Sequence, residues 1–158
     1  LKNSNITISY QQLSFQELSL SDKKTLDHAK QMAEKAYAPY SNFHVGASAQ
    51  LENGMQIGGN NQENAAYPSG LCAERVALFT ANSQYPDQAV ECLGIYLPAV
   101  FNPTIPSPCG ACRQVICEIR IAQDKPIRLL LMNGDNTVWL FNDANDLLPF
   151  SFTSDHLK

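Results

Sequence analysis

The chain has 158 residues, 44% hydrophobic and 16% charged, with 11 Lys+Arg against 15 Asp+Glu. That length suits one domain with a real core, and so apolar a composition excludes a disordered chain. A formal net charge of −4 speaks against tracking a phosphate backbone, so no nucleic-acid partner is expected.

No stretch approaches the ~20 apolar residues that span a bilayer, so no membrane partner is expected either. The opening residues Leu1-Lys2-Asn3-Ser4-Asn5 lead into no signal-peptide hydrophobic core, which makes the cytoplasm the expected location. Ile6, Ile8 and Tyr10 alternate, followed by Leu13, Phe15, Leu18 and Leu20. This pattern predicts an added strand or N-terminal arm over residues 1–20, ahead of a single domain over 21–158.

Ser21 is a plausible N-cap for a helix through about Tyr37, with Leu26, Ala29, Ala33 and Ala36 on one stripe and Pro39 stopping it. From Phe43 to Leu51 the pattern is strand-like. Asn53-Gly54 is a hairpin turn signal, and a return strand runs from Met55 to about Gly59. Helices follow at Cys72–Asn82 and Cys109–Ile119, separated by a buried strand at Cys92–Leu97. Then come a strand at Ile127–Met132, a turn at Asn133-Gly134-Asp135, a strand at Thr137–Phe141 and a short helix near Asp143–Leu148. The order α-β-β-α-β-α-β-β predicts an α/β fold, three-layer α-β-α, with a mixed sheet of about five strands. No repeat or linker marks a second domain.

The five cysteines are Cys72, Cys92, Cys109, Cys112 and Cys117. An odd number cannot form a complete disulfide framework, and clustered cysteines in a reducing compartment point to metal or catalysis. Cys109 and Cys112 are three apart and share a helix face. Pro108 before them favours a helix start, whose positive end stabilises thiolates. Cys72 opens another helix in the same way, so three thiolates can converge on one tetrahedral Zn²⁺. Cys92 lies in an apolar strand and Cys117 in an apolar helical run beside Val115, Ile116 and Ile119. Both read as core residues. His28, His44 and His156 lie outside both motifs, in surface or hydrogen-bonded roles. The fourth metal position therefore looks open, as in a catalytic rather than a structural site.

Glu74 is two residues from Cys72. In mid-helix such residues point apart, so they share a pocket only at a helix start, where side chains fold around the end. Taken alone, Cys-x-Glu more often marks an acidic residue complementing the helix dipole; with Pro-Cys-x-x-Cys downstream it reads as the catalytic acid and base.

The spacing Cys72-Ala73-Glu74-Arg75 with Pro108-Cys109-Gly110-Ala111-Cys112-Arg113-Gln114 is the zinc deaminase signature in its three-cysteine form. With Ala36-Tyr37-Ala38-Pro39-Tyr40-Ser41-Asn42-Phe43 and Asn61-Gln62-Glu63-Asn64-Ala65, the chain resembles the cytidine deaminases. The resemblance is to the small, single-domain, three-cysteine branch that forms homotetramers, and it runs from about Ala36 to Phe152.

It implies hydrolytic conversion of cytidine or deoxycytidine to the uridine, in pyrimidine salvage, with release of ammonia. Zinc-activated water attacks C4 while Glu74 takes up, relays and returns the proton. By the same resemblance, Arg75 hydrogen-bonds the ligand sulfurs and Gln114 supports the zinc shell. Asn61 and Glu63 hold the sugar 3′-hydroxyl, Phe43 lies beside the base and Ala73 offers backbone contacts to it. Phe152 reaches a neighbouring subunit's pocket, although Phe150 competes for that role because the family usually has small residues where Phe150 and Ser151 stand. Tyr67 suits either the site or subunit packing. The rivals are a deaminase of another aminopyrimidine, such as blasticidin S, and a structural zinc module in which Cys92 or Cys117 closes the site.

Overall fold

Ser19, rather than Ser21, begins the first helix: its hydroxyl accepts from the Asp22 backbone N–H at 3.1 Å. The Asp22 carboxylate also receives a two-pronged bond from Arg128, at 2.6 and 3.2 Å, which ties the helix start to the sheet. The computed structural model describes residues 2–157. In chain order the elements are β1 (Gln11–Ser14), α1 (Leu20–Ala33), β2 (Gly46–Leu51), β3 (Gln56–Asn60), α2 (Ala73–Gln84), β4 (Val90–Tyr96), α3 (Gly110–Gln123), β5 (Arg128–Met132) and β6 (Thr137–Phe141).

α1 stops at Ala33, short of the expected Tyr37. The Tyr37 backbone is taken by the strand-like segment after β3: its N–H donates to the Asn61 carbonyl at 3.0 Å and its carbonyl accepts from Glu63 at 2.9 Å. Strand β2 starts at Gly46 rather than Phe43 because the Asn61 side chain claims the Phe43 carbonyl and the Val45 N–H. The short helix expected near Asp143–Leu148 is a 3-10 turn at Ala144–Leu147, and a second 3-10 turn follows at Ser154–Leu157.

The sheet has six strands in the order β1-β6-β5-β4-β2-β3. Only β4 and β5 run parallel, joined by the crossover through α3. The strand beyond the expected five is β1, which pairs antiparallel with β6 in the register Leu13↔Val138. Helix α1 covers one face of the sheet, over a cluster containing Leu26, Cys92, Leu130 and Met132. Helices α2 and α3 cover the other, over Ala47, Leu93, Ile95, Leu129 and Leu131. Along β5, Leu129 and Leu131 face one layer while Leu130 and Met132 face the other, so this strand is apolar throughout.

Two glycines set how closely the helices approach. A Cβ at Gly46 would collide with the Ala29 carbonyl of α1, and one at Gly59 with the backbone of Ala73 and Ala77 in α2. Gly59 thus seats the first turn of α2 directly on β3.

Candidate active site

Both metal-ligand motifs stand at helix N-termini. Cys72 is the N-cap of α2 and Cys109 the N-cap of α3, each with extended backbone (φ −72°, ψ 154° and φ −65°, ψ 167°). Cys112 follows in the first turn of α3, buried. The Sγ atoms of Cys72 and Cys109 are 3.9 Å apart, and those of Cys109 and Cys112 3.5 Å. A tetrahedral zinc with thiolates at ~2.3 Å requires edges of about 3.8 Å, so the three sulfurs fit the ion. Among the described residues these three form the one cluster of potential metal ligands. Cys92 and Cys117 are fully buried in the core. His28 bonds Ser48, and His156 bonds Thr153. The fourth coordination position therefore has no protein ligand among the described residues.

The electrostatics favour a thiolate at Cys72. A bond from the Cys112 thiol, helped by Arg75 and Cys109, outweighs burial and brings Cys72 down to about 5. Cys112, which gives that bond and is buried, is pushed up. The Arg75 guanidinium lies with Nη2 3.8 Å from Cys72 Sγ. Its Nε is buried without an acceptor.

Glu74 is the second residue of α2 and only 6% exposed. Burial, reinforced by the nearby Cys72 charge, raises its carboxyl to about 6. It lines a cavity of about 200 Å³ together with Phe43, Ala73, Ile95, Leu97, Pro108 and Cys109. This cavity has an apolar wall, one carboxyl and the metal ligands at one end. A second cavity of about 520 Å³ shares Asn61 and Cys72 with it and is lined by Tyr40, Ser41, Glu63, Tyr67 and Arg75.

Asn61 and Glu63 line that larger space, each anchored from its own chain. Asn61 Oδ1 accepts from the Val45 N–H and its Nδ2 donates to the Phe43 carbonyl, both at 2.8 Å, so this side chain fixes the backbone that carries Phe43. Glu63 accepts from the Tyr40 N–H at 2.9 Å and from the Ser41 hydroxyl. The bond from Ser41, then that from Tyr40, holds its carboxyl below the usual carboxylate range.

A family model described as the cytidine and deoxycytidylate deaminase zinc-binding region matches residues 19–124. The chain belongs to this deaminase family. A cytidine deaminase of Halalkalibacterium halodurans is 39% identical over 133 residues, covering 84% of this chain and 95% of that protein. One of Sporosarcina psychrophila is 36% identical over 144 residues, covering 86% and 94%. The crystal structure of a Burkholderia pseudomallei cytidine deaminase superimposes with a TM-score of 0.70 at 39% identity, over 82% of this chain and 98% of that one. The zinc-binding deaminase domain and the three-sulfur cluster agree on the cofactor, Zn²⁺.

Of the residues that the deaminase motifs single out, Cys72, Cys109, Cys112, Glu74, Ala73, Phe43 and Asn61 surround the ligand cluster and the smaller cavity. Glu63, Arg75 and Tyr67 border the larger one. Phe152 and Phe150 reach neither cavity of their own chain. They are 58% and 86% exposed, and Phe152 stacks on His156 at 5.5 Å. Gln114 donates to the Phe152 carbonyl at 2.7 Å and so holds the C-terminal segment.

Reading the sequence missed Tyr40 and Ser41 as the holders of Glu63, and Ile95, Leu97, Pro106 and Ser107 as cavity wall. Tyr40 and Ser41 stand inside the Ala36–Phe43 motif. The wall residues carry no signal, because a strand end and a proline-rich loop look alike wherever they pack.

Proposed function

We propose that this chain hydrolyses the 4-amino group of cytidine and deoxycytidine, giving the uridine nucleoside and ammonia, in pyrimidine salvage. The observation that carries the reading is a buried carboxyl, Glu74, beside a three-cysteine site with no fourth protein ligand among the described residues. Cys72, Cys109 and Cys112 would hold the zinc, which when bound lowers the pKa of water towards neutrality and so supplies a hydroxide nucleophile.

Glu74 accepts the proton from water, delivers it to N3 of the pyrimidine and then passes one to the departing amine. A carboxyl raised to about 6 suits both directions of transfer near neutral pH. Phe43 and the apolar wall take the base, excluding water from the reacting face. Ala73 offers its backbone to the ring. Glu63, ionised and already braced by Ser41 and Tyr40, accepts from a sugar hydroxyl, and Asn61 holds the backbone on which Phe43 stands. Arg75 withdraws charge from the sulfurs, offsetting a formal charge of +2 − 3 = −1 on metal and ligands.

The substrate is a small nucleoside, with neither nucleic acid nor membrane as partner. The same reading places the enzyme in the cytoplasm, where thiols stay reduced, as one domain over residues 21–158 with residues 1–20 as an added arm. It also makes the enzyme a homotetramer with shared sites. In support, the larger cavity is rimmed by Tyr67 at 78% exposure, and Phe150 and Phe152 are exposed while lining neither of the two site cavities. Sedimentation velocity on the zinc-loaded protein should give a tetramer, and a monomer would remove the shared-site reading.

The test of activity is loss of ultraviolet absorbance on mixing with cytidine, alongside Glu74→Ala. Wild type should turn over, and the variant should lose 10²-fold or more in kcat while keeping its zinc. No loss from zinc-loaded wild type would reject cytidine and direct the search to other aminopyrimidines such as blasticidin S.

A further inference from the structure

Cys109 is the N-cap of α3: its carbonyl accepts the Arg113 N–H at 3.0 Å, but its backbone is extended and the residues before it belong to the loop that delivers it. That loop carries Pro103, Pro106 and Pro108, and prolines donate no backbone N–H with which to anchor themselves. The anchor comes from the next turn of the helix. Arg113 donates through Nε to the Pro108 carbonyl at 2.7 Å, through Nη2 to the Ser107 hydroxyl at 2.6 Å, and through Nη1 to the Leu147 carbonyl at 3.0 Å. All three guanidinium nitrogens go to different neutral acceptors, and among the described residues no carboxylate pairs with Arg113.

Ser107 and Pro108 also form the wall of the cavity that holds Glu74, and Leu147 ends the turn that leads into the C-terminal segment. We infer that Arg113 is a positioning residue that fixes the Cys109 ligand and the Ser107-Pro108 wall by tying both to the C-terminal segment. This rests on reading Cys109 as a zinc ligand. The planar fork reaches three acceptors in fixed directions, whereas a lysine ammonium keeps the charge but cannot hold that geometry. Geometry, not charge, is therefore the contribution of Arg113.

The experiment follows zinc release from the full-length, zinc-loaded protein to a chromogenic chelator. Arg113→Lys should release zinc about 10-fold faster than wild type, in the range that outer ligand supports contribute. Ser107→Ala should release it faster by a smaller factor. The double variant should add little to Arg113→Lys, because both substitutions break one assembly. The visible spectrum of the cobalt-substituted protein should shift in Arg113→Lys, a change that a general loss of stability would not produce.

Should Arg113→Ala fail to fold, the lysine and Ser107→Ala variants carry the test. Release by Arg113→Lys within twofold of wild type, or an unchanged cobalt spectrum, overturns the proposal. Fully multiplicative effects in the double variant do so as well. Cys109→Ser separates the two ideas. If it keeps one zinc per chain, the ligand reading falls and the proposal with it. If it loses zinc while Arg113→Lys behaves as wild type, the proposal alone falls.

Discussion

Arg75 and Cys92 show how one charged and one neutral side chain serve opposite ends of the same need. The Arg75 Nε is buried without an acceptor while Nη2 lies beside the Cys72 sulfur, so its guanidinium is held in place by the sulfurs it polarises. Arg75→Gln should therefore keep one zinc per chain yet lower kcat by about 10-fold. Metal analysis beside steady-state rates checks this, and an unchanged kcat would remove Arg75 from the mechanism. Cys92 must stay neutral: burial pushes its thiol up to about 12 from an ordinary 9.0. In the unfolded chain it ionises above about pH 9, so between pH 9 and 12 the native state binds more protons and stability falls as pH rises. Cys92→Val lacks that proton. Its stability relative to wild type, from urea midpoints, should improve by about 1 kcal/mol between pH 8 and pH 10. A pH-independent difference would show that Cys92 does not ionise on unfolding.

Helix α2 performs one task through its first turn, the presentation of Cys72 and Glu74 to the same space, and Gly59 of β3 decides where that turn sits. A Cβ at Gly59 would strike the backbone of Ala73 and Ala77, which cannot move without the helix. A Cβ at Gly58, on the opposite face of the same strand, meets the flexible Met32 side chain and the His28 ring of α1. Gly59→Ala should cost about 1–3 kcal/mol and lower zinc occupancy, whereas Gly58→Ala should spare the zinc. Metal content and thermal midpoints of the two variants check the contrast, and equal zinc loss in both would mean that α2 is not the element displaced.

For the whole molecule the open question is the sheet edge. Tyr10 sits over the far side of that edge, 4.7 Å from the Trp139 ring and 5.5 Å from that of Phe141, and β1 then extends the sheet beside β6. The arm thus covers aromatic surface that belongs to the α2–α3 layer. Tyr10→Ala should lower stability by about 0.5–1.5 kcal/mol and leave kcat and KM for cytidine unchanged. Altered kinetics would connect the arm to the site.

Sequence alone determined the chemistry and most of the element order. Three cysteines at helix starts, a glutamate two residues after one of them and alternating apolar strands are local patterns, set by helix and strand periodicity within a few residues. It also indicated that Cys92 and Cys117 belong to the core, because apolar neighbours in the chain remain neighbours in the fold. Tertiary structure decided what depends on partners distant in sequence. β1 is four residues long and becomes a strand only through β6, 125 positions away in the Leu13↔Val138 pair by difference of their numbers. The end of α1 was set by the Asn61–Glu63 segment taking the Tyr37 backbone. The hold of Arg113 on Leu147 and that of Ser41 on Glu63 are likewise contacts between separate segments. Hydrogen bonds of this kind leave no periodic trace, because direction in space, not spacing along the chain, brings donor and acceptor together.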